Sequence, residues 1–173
     1  MSKADTSMAD LRKSMRELAQ AQAEAMKIVG ELGNKWGSYT EGQAAPAVER
    51  VMREKFGAEY VIQHAAVSRG GLSQEFDTIG IVNGKKNQVV LAEIKSRLTE
   101  GELKKFEKKF EHFFDFFPEH RGKTLLGMLV AVQMPKGMPE RVARHGFYLM
   151  RSSTSTFDLL SNPKDFHPRT LKG

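Results

Sequence analysis

Residues 74–96 have the sequence QEFDTIGIVNGKKNQVVLAEIKS. The apolar runs on either side of NGKKN are long enough to be strands, and Asn-Gly is a common turn dipeptide, so the segment predicts a β-hairpin. Both runs carry apolar side chains at odd and at even positions, which is typical of strands that are buried on both faces. The hairpin therefore predicts a sheet covered by helices on both sides.

The register of this hairpin depends on the length of its loop. A five-residue loop centred on Lys85 pairs Val82 with Gln88 and places Asp77 opposite Glu93. A tight turn on the Asn-Gly dipeptide would instead turn Asp77 to the other face, because side chains alternate along a strand. The relation between the two carboxylates consequently depends on which loop forms.

Asp77, Glu93 and Lys95 are the candidate catalytic residues. Alternation places Glu93 and Lys95 on one face of their strand, and in the five-residue register Asp77 faces Glu93 at about 5 Å. Two facing carboxylates suit a hard divalent cation such as Mg²⁺ or Mn²⁺, and a lysine beside them can hold or activate a water. The alternative is a set of solvated strand-end charges. Charges that interrupt apolar strands, however, need a partner or a metal.

The elements around the hairpin complete an α/β fold with a mixed sheet. A strand is predicted at about 60–68, and the capping box Thr99–Glu102 opens a helix with a phenylalanine-rich face. The apolar run 124–132 follows that helix and predicts a strand parallel to its neighbour. A short helix at 135–145 and a strand at 147–151 follow.

The N-terminal segment predicts a coiled-coil helix over residues 1–33, followed by a separate domain over 34–173. Mostly apolar or small residues recur in a heptad pattern. They are Met8, Leu11, Met15, Leu18, Gln22, Ala25, Val29 and Leu32. Such a stripe needs a second helix, either from the chain's own domain or from another subunit, and we expect a homo-oligomer formed through this helix.

A separate helix is predicted after the coiled coil. Gly33 and Gly37 interrupt the first helix, and Thr40–Gln43 is a capping box. Pro46 either kinks this second helix or marks its start after a separate turn, because an interior proline loses a backbone hydrogen bond.

The composition excludes several classes of protein. The chain has 173 residues, no cysteine, a net charge of +6 and a pI near 9.5. The missing cysteines exclude disulfides, thiol catalysis and thiolate metal sites, and they fit a reducing cytoplasm. The positive charge favours a polyanionic partner such as nucleic acid. No apolar run is long enough to span a membrane, so we expect a cytoplasmic protein without a membrane partner.

The spacing of Asp77, Glu93 and Lys95 resembles that of the PD-(D/E)XK nuclease superfamily. In that superfamily an acid on one strand and a Glu/Asp-x-Lys on the next bind magnesium and hydrolyse phosphodiesters. The leading proline of the motif is absent, since Glu75-Phe76 precede Asp77. Over residues 32–170 the runs LGNKWGSYTEGQAAPAVERVMREKFG, EFD, AEIKS, FFPEH and FHPR also resemble an uncharacterised bacterial family of coiled-coil proteins with nuclease-like domains.

This resemblance implies a restriction-endonuclease-like core with helices on both faces and a Mg²⁺-dependent nuclease acting on nucleic acid, most simply DNA. The alternative is a catalytically inactive nucleic-acid-binding or coiled-coil interaction module on the same fold. In the superfamily the helix before the first strand often contributes a third acid. The run WGSYTEG aligns Glu41 with that position, and Glu49, eight residues later, is the other candidate. Alternatively, Glu41 is a charge that stabilises a helix N-terminus, and Glu49 is an ion-pair partner of Arg53.

Basic residues at three places are candidates for contacts to phosphate. Arg69 lies in a glycine-flanked loop, Arg97 follows the Glu-x-Lys strand, and the following helix has a face that carries Lys104, Lys105, Lys108 and Lys109. Glutamates are interspersed with the lysines of that helix, so a solvated helix face is the alternative.

Overall fold

The computed structural model describes residues 3–154 and 156–173. The chain divides into two compact units, Met1–Ser38 and Tyr39–Gly173. Asp77, Glu93 and Lys95 belong to the second unit. Among the described residues, no helix is both long enough and apolar enough to cross a lipid bilayer.

Helix α1 runs over Lys3–Val51 and continues into a π-helical turn at Met52–Phe56. The predicted interruption at Gly33 and Gly37 is therefore wrong. Glycine weakens a helix by about 1 kcal/mol relative to alanine, but its backbone adopts helical angles without strain. The glycines lower the stability of the helix locally and do not end it.

The C-terminal part of α1 includes the segment for which a separate helix was predicted. Thr40 lies inside α1 and does not cap a new helix, and Pro46 also lies within it. From Ala44 to Met52 the helix buries a stripe of side chains against the sheet. This packing holds the helical turns in place although Pro46 removes one backbone hydrogen bond.

The heptad stripe belongs to the first unit and is exposed there. Its large apolar members keep more than half of their surface accessible, from 52% for Met8 to 70% for Leu18. A helix whose apolar stripe stays in water gains little from tertiary packing. Coverage of this stripe by a second helix remains a prediction.

The second unit is built on a seven-stranded mixed sheet, which confirms the predicted α/β fold class. The strands are β1 (Tyr60–Arg69), β2 (Leu72–Val82), β3 (Gln88–Arg97), β4 (Thr124–Gln133), β5 (Tyr148–Ser152), β6 (Phe157–Leu159) and β7 (Leu171–Lys172). Their order is β1-β2-β3-β4-β5-β6, and β7 pairs with β4. The first three strands are antiparallel, whereas β3, β4 and β5 run parallel.

The β2–β3 hairpin has the register of the five-residue loop. Val82 pairs with Gln88, and the pairing continues in the same register along both strands. Gly84 has φ of 66° and Asn87 has φ of 45°, and both residue types adopt this left-handed region more readily than others do. The loop chemistry therefore places Asp77 and Glu93 at opposed positions of neighbouring strands.

Helices cover both faces of the sheet, as the apolar hairpin predicted. Helices α2 (Glu100–Glu111), α3 (Phe113–Phe116) and α4 (Met138–Arg144) follow in the chain. One face of the sheet packs against a phenylalanine-rich cluster that includes Phe106 and Phe110 from α2. The other face packs against the end of α1, including Val48 and Met52. Helix α2 begins at a cap in which the Thr99 side chain accepts a hydrogen bond from the Glu102 N–H, and it forms the crossover between the parallel strands β3 and β4.

Candidate active site

Asp77 lies where β2 and β3 stop pairing. The last paired residues in this direction are Thr78 and Ala92. Beyond them the Asp77 side chain replaces a backbone acceptor, because its Oδ2 accepts a hydrogen bond of 2.7 Å from the Ile94 N–H. The carboxylate is thereby held between the two strands, half-buried and beside Glu93.

Glu93 is a buried carboxylate held by two lysines. Its residue surface is only 5% exposed. Lys95 Nζ lies 2.9 Å from Glu93 Oε1, and Lys109 Nζ lies 2.6 Å from Glu93 Oε2. Both carboxylate oxygens are therefore compensated by an ammonium group, as a buried charge requires.

Lys109 was predicted from the sequence only as a phosphate contact on the lysine face of α2, and its pairing with Glu93 was not predicted. It reaches the site from α2, also donates to the Glu75 carbonyl oxygen at 2.9 Å, and places its ammonium 5.6 Å from the centre of the Phe76 ring. Its side chain is only 13% exposed. The sequence carries a signal for it, because Lys109 follows Glu102 by seven residues, which corresponds to two turns on one helix face. Glu102 faces the site as well, 3.5 Å from Lys95 Nζ.

Burial and neighbouring charges shift the pKa values of Asp77 and Lys95. Burial, and then the negative charge of Glu93, raise the pKa of Asp77 to about 6, although the Ile94 N–H and the two lysines oppose this. Burial lowers the pKa of Lys95, but the charge of Glu93 and the hydrogen bond to it outweigh burial, so that this pKa is raised overall. Lys95 is consequently a protonated hydrogen-bond donor at neutral pH.

A cleft of about 530 Å³ opens onto this group. It is lined by Leu72, Ser73, Gln74, Glu93, Lys95, Glu102, Lys105, Lys108, Lys109, His112 and Phe116. Of the predicted phosphate contacts, Lys105, Lys108 and Lys109 line this cleft, whereas Lys104 is exposed outside it. His112 was missed, although its spacing from Lys105 and Lys108 places it on the same side of α2.

The lysines and glutamates of α2 are divided between its two sides. Glu107 contacts His145 and Arg169 at 2.8 Å, and Glu111 contacts Arg169 at 2.6 Å. Burial raises the pKa of Glu107, but its hydrogen bond to His145 and the two positive neighbours lower it overall. With these acids paired on the far side, the side of α2 that faces the cleft is predominantly basic.

The two candidate third acids have partners of their own. Glu49 is bonded to Arg53 at 2.9 Å and to Gln63 at 3.3 Å, which is the partner role considered as the alternative. Glu41 Oε2 lies 3.8 Å from His64 Nδ1. Among the described residues, no group of three or more His, Cys, Asp or Glu side chains is placed to hold a metal ion.

His64, which lies near Glu41, is on the strand next to Asp77. It lies between two residues of β1 that pair with Thr78 and Phe76, so that its position in the sheet is opposite Asp77. Its φ is 54°, in the left-handed region that is costly for a residue other than glycine.

The donor atoms that converge here fit a hard divalent cation. Asp77 and Glu93 supply carboxylate oxygens, which Mg²⁺ and Mn²⁺ prefer, and because burial and then the charge of Glu93 raise the pKa of Asp77, a further positive charge would stabilise its ionised form. Lys109 provides such a charge at Glu93 Oε2.

The other predicted basic residues lie outside this cleft. Arg69 is 3.8 Å from Glu119, so that its charge is partly compensated on the surface. Arg97 lines a second cleft, which also contains Arg151.

Solved structures with a partial likeness to this fold include three proteins of low sequence identity. SPO1766 from Silicibacter pomeroyi, a protein of unknown function, has a TM-score of 0.44 at 13% identity, covering 77% of this chain and 74% of that one. A repair endonuclease from Pyrococcus abyssi has a TM-score of 0.37 at 14% identity, covering 63% and 46%. EndoMS in complex with double-stranded DNA has a TM-score of 0.36 at 15% identity, covering 69% and 45%.

The two endonuclease matches span less than half of those proteins. The sequence matches no family model and no curated protein. At these values the likenesses assign neither a family nor an activity to the chain.

Proposed function

We propose that this chain is a nuclease that hydrolyses phosphodiester bonds with the help of Mg²⁺ or Mn²⁺. The observation that carries the proposal is the convergence of Asp77, Glu93 and Lys95 where β2 and β3 separate, at the edge of a basic cleft. Unlike a surface ion pair, this group contains a buried carboxylate beside a second carboxylate of raised pKa. A positively charged ligand would relieve the repulsion that remains between these two carboxylates.

Each residue has a distinct role in this proposal. Asp77 and Glu93 hold the cation, and the Ile94 N–H fixes the orientation of the Asp77 carboxylate. The cation would neutralise charge on the phosphate and lower the pKa of a bound water. Lys95 is a protonated donor that orients the attacking water or the phosphate oxygen. Lys105 and Lys108 attract the nucleic-acid backbone to the cleft.

The proposal is tested with purified chain and labelled single-stranded and double-stranded DNA and RNA. We expect cleavage with Mg²⁺ or Mn²⁺ and none with EDTA. Binding of Mn²⁺, measured by isothermal titration calorimetry without nucleic acid, separates a failure of metal binding from a failure of substrate recognition. Binding of DNA without cleavage in the presence of any divalent ion would contradict the enzymatic proposal.

A second candidate is a non-catalytic nucleic-acid-binding module. The observation that favours it is the pairing of both Glu93 oxygens with lysine ammonium groups. In this candidate the lysines are permanent structural partners of the carboxylate and no metal replaces them.

Lys109→Met separates the two candidates. Methionine keeps an apolar stem beside Phe76 but leaves Glu93 Oε2 without its partner, so we expect a lower Tm in EDTA. If the site takes a divalent cation, Mn²⁺ should restore the Tm of this variant by more than it raises that of the wild type, and Mn²⁺ should bind more tightly.

The matched control for this experiment is Lys108→Met, an exposed neighbour on the same helix, which should change neither quantity. A Tm that falls in Lys109→Met and does not respond to Mn²⁺ would favour the non-catalytic module.

The proposal also includes a homo-oligomer that is formed by the N-terminal helix. The exposed stripe from Met8 to Leu32 supports it, because a second copy offers the same heptad pattern. We expect deletion of residues 1–32 to reduce the native assembly to a monomer in light scattering, with the melting of the remaining domain retained. An unchanged oligomer after the deletion would contradict this role of the helix.

A further inference from the structure

A second cleft of about 610 Å³ lies at the carboxyl ends of the parallel strands β3, β4 and β5. It is lined by Arg97, Val132, Gln133, Met134, Pro135, Arg151 and Ser152. Arg97 is paired with Gln133 on β4, and Arg151 is paired with Ala131 on the same strand. The two arginines therefore flank the end of β4, one from each neighbouring strand. The carboxyl ends of parallel strands are the usual place for ligands in α/β sheets.

The charges in this cleft are not balanced from within the chain. Arg97 and Arg151 are both exposed, and within residues 3–154 and 156–173 no ion pair or side-chain hydrogen bond involves either guanidinium. Asp158 lies opposite Arg151 on β6, but it does not line the cleft and forms no ion pair with it among the described residues. Two guanidinium groups that share a cleft without a carboxylate repel each other and favour a bound anion.

The position of the cleft relates it to the candidate active site. Glu93, Lys95 and Arg97 occupy every second position of β3 and therefore face the same side of the sheet. Arg97 follows Lys95 by about 7 Å along the strand. A nucleic-acid strand carries a phosphate on every nucleotide, so a strand with one phosphate at Lys95 has another within reach of the arginines.

We propose that Arg97 and Arg151 together bind a backbone phosphate of the nucleic-acid strand, next to the phosphate at the Asp77–Glu93 pair. This inference rests on the proposed function. Arginine binds phosphate with paired donors. Two arginines on separate β-strands fix the direction in which the nucleic-acid strand crosses the ends of β3 to β5. Arg97 was a candidate from the sequence alone, whereas Arg151 is a new member that only the parallel pairing of β4 with β5 brings to it.

The test is DNA binding in EDTA as a function of salt concentration, with Arg97→Gln and Arg151→Gln. Fluorescence anisotropy with a labelled single strand and with its duplex gives the affinity. Each variant should bind about tenfold more weakly at low salt. The slope of log K against log salt should become shallower by about 0.7 on the single strand or about 0.9 on the duplex for each lost phosphate contact.

The matched control is Arg141→Gln, because the guanidinium of Arg141 already bonds Glu100 and lies outside the cleft. It should leave both affinity and slope unchanged. Mn²⁺ binding by all three variants should equal that of the wild type, which shows that the fold and the carboxylate site are intact. Competition by inorganic phosphate distinguishes a site for nucleic-acid backbone from a site for free phosphate. For a backbone site, inorganic phosphate should displace DNA only at concentrations far above that of the oligonucleotide.

The outcomes separate this inference from the proposed nuclease activity. If the arginine variants bind DNA with wild-type slope and affinity while the wild type cleaves DNA, the inference is overturned and the nuclease proposal stands. If the wild type binds DNA without cleaving it and each arginine variant binds DNA more weakly, the phosphate site stands and the catalytic proposal falls. If the wild type binds neither the single strand nor the duplex, the inference is overturned. If inorganic phosphate displaces DNA at a concentration equal to that of the oligonucleotide, the choice of nucleic acid as the ligand is overturned.

Discussion

Lys95→Ala is expected to lower the rate of metal-dependent cleavage by about 100-fold or more, with DNA binding retained. Lys95 is the protonated donor at the site, since the charge of Glu93 outweighs burial in setting its raised pKa. Alanine removes that donor from the water or phosphate oxygen. The fold should be retained because Glu93 keeps Lys109, although the Tm should fall as it does in Lys109→Met, since Glu93 Oε1 loses its partner. The measurements are single-turnover cleavage with Mn²⁺ and a thermal melt.

The control for this variant is Lys164→Ala, an exposed lysine remote in sequence from the site. Both variants are purified in parallel with the wild type, because a contaminating nuclease would cleave equally in all three preparations. Equal rates in Lys95→Ala and wild type would remove Lys95 from the mechanism. A rate loss accompanied by a collapse of the Tm would instead assign Lys95 a structural role.

Asp77→Asn is expected to abolish Mn²⁺ binding and cleavage and to raise the Tm of the metal-free protein at neutral pH. Asparagine keeps an oxygen that accepts the Ile94 N–H bond, but it removes the charge that faces Glu93. The stability gain follows from the pKa of Asp77, which is raised from 3.8 to about 6. A carboxyl group whose pKa is higher in the folded state binds its proton more strongly there, so the wild type loses stability as the pH rises through this interval.

The pH dependence makes this prediction specific. In EDTA, the Tm of Asp77→Asn should exceed that of the wild type by several degrees above about pH 7. The difference should vanish below about pH 3, where Asp77 is protonated in both states. The opposite sign, with a variant less stable than the wild type at neutral pH, would show that the Asp77 charge is already satisfied by the lysines. Mn²⁺ binding by the variant equal to that of the wild type would exclude Asp77 as a ligand.

Local sequence signals were sufficient for the sheet and for the carboxylate pair. The Asn-Gly loop and the apolar runs specify the β2–β3 register, because turn length fixes strand pairing, and Thr99 correctly predicted the start of α2. The parallel pairing of β4 followed from the crossover helix, since such connections have few geometric solutions.

Two kinds of features were not accessible in this way. The length of α1 was underestimated because Gly33 and Gly37 have only a weak, local effect, whereas the packing from Ala44 onward comes from the sheet. The pairing of Lys109 with Glu93 was missed because it spans 16 residues of chain, and Arg151 was missed because only the pairing of β4 with β5 brings it to the cleft. Long-range contacts of this kind leave only a weak trace in the sequence, such as the spacing of Lys109 from Glu102.

The ammonium group that α2 inserts beside Glu93 has a consequence for how the chain matures after synthesis. A protein that relies on an external ion to compensate a buried carboxylate folds only where that ion is available. Here the counter-charge is part of the polypeptide and arrives when α2 docks on the sheet. We therefore expect folding to be independent of the supply of divalent ions, so that under the proposed function the folded chain can accumulate before any ion binds.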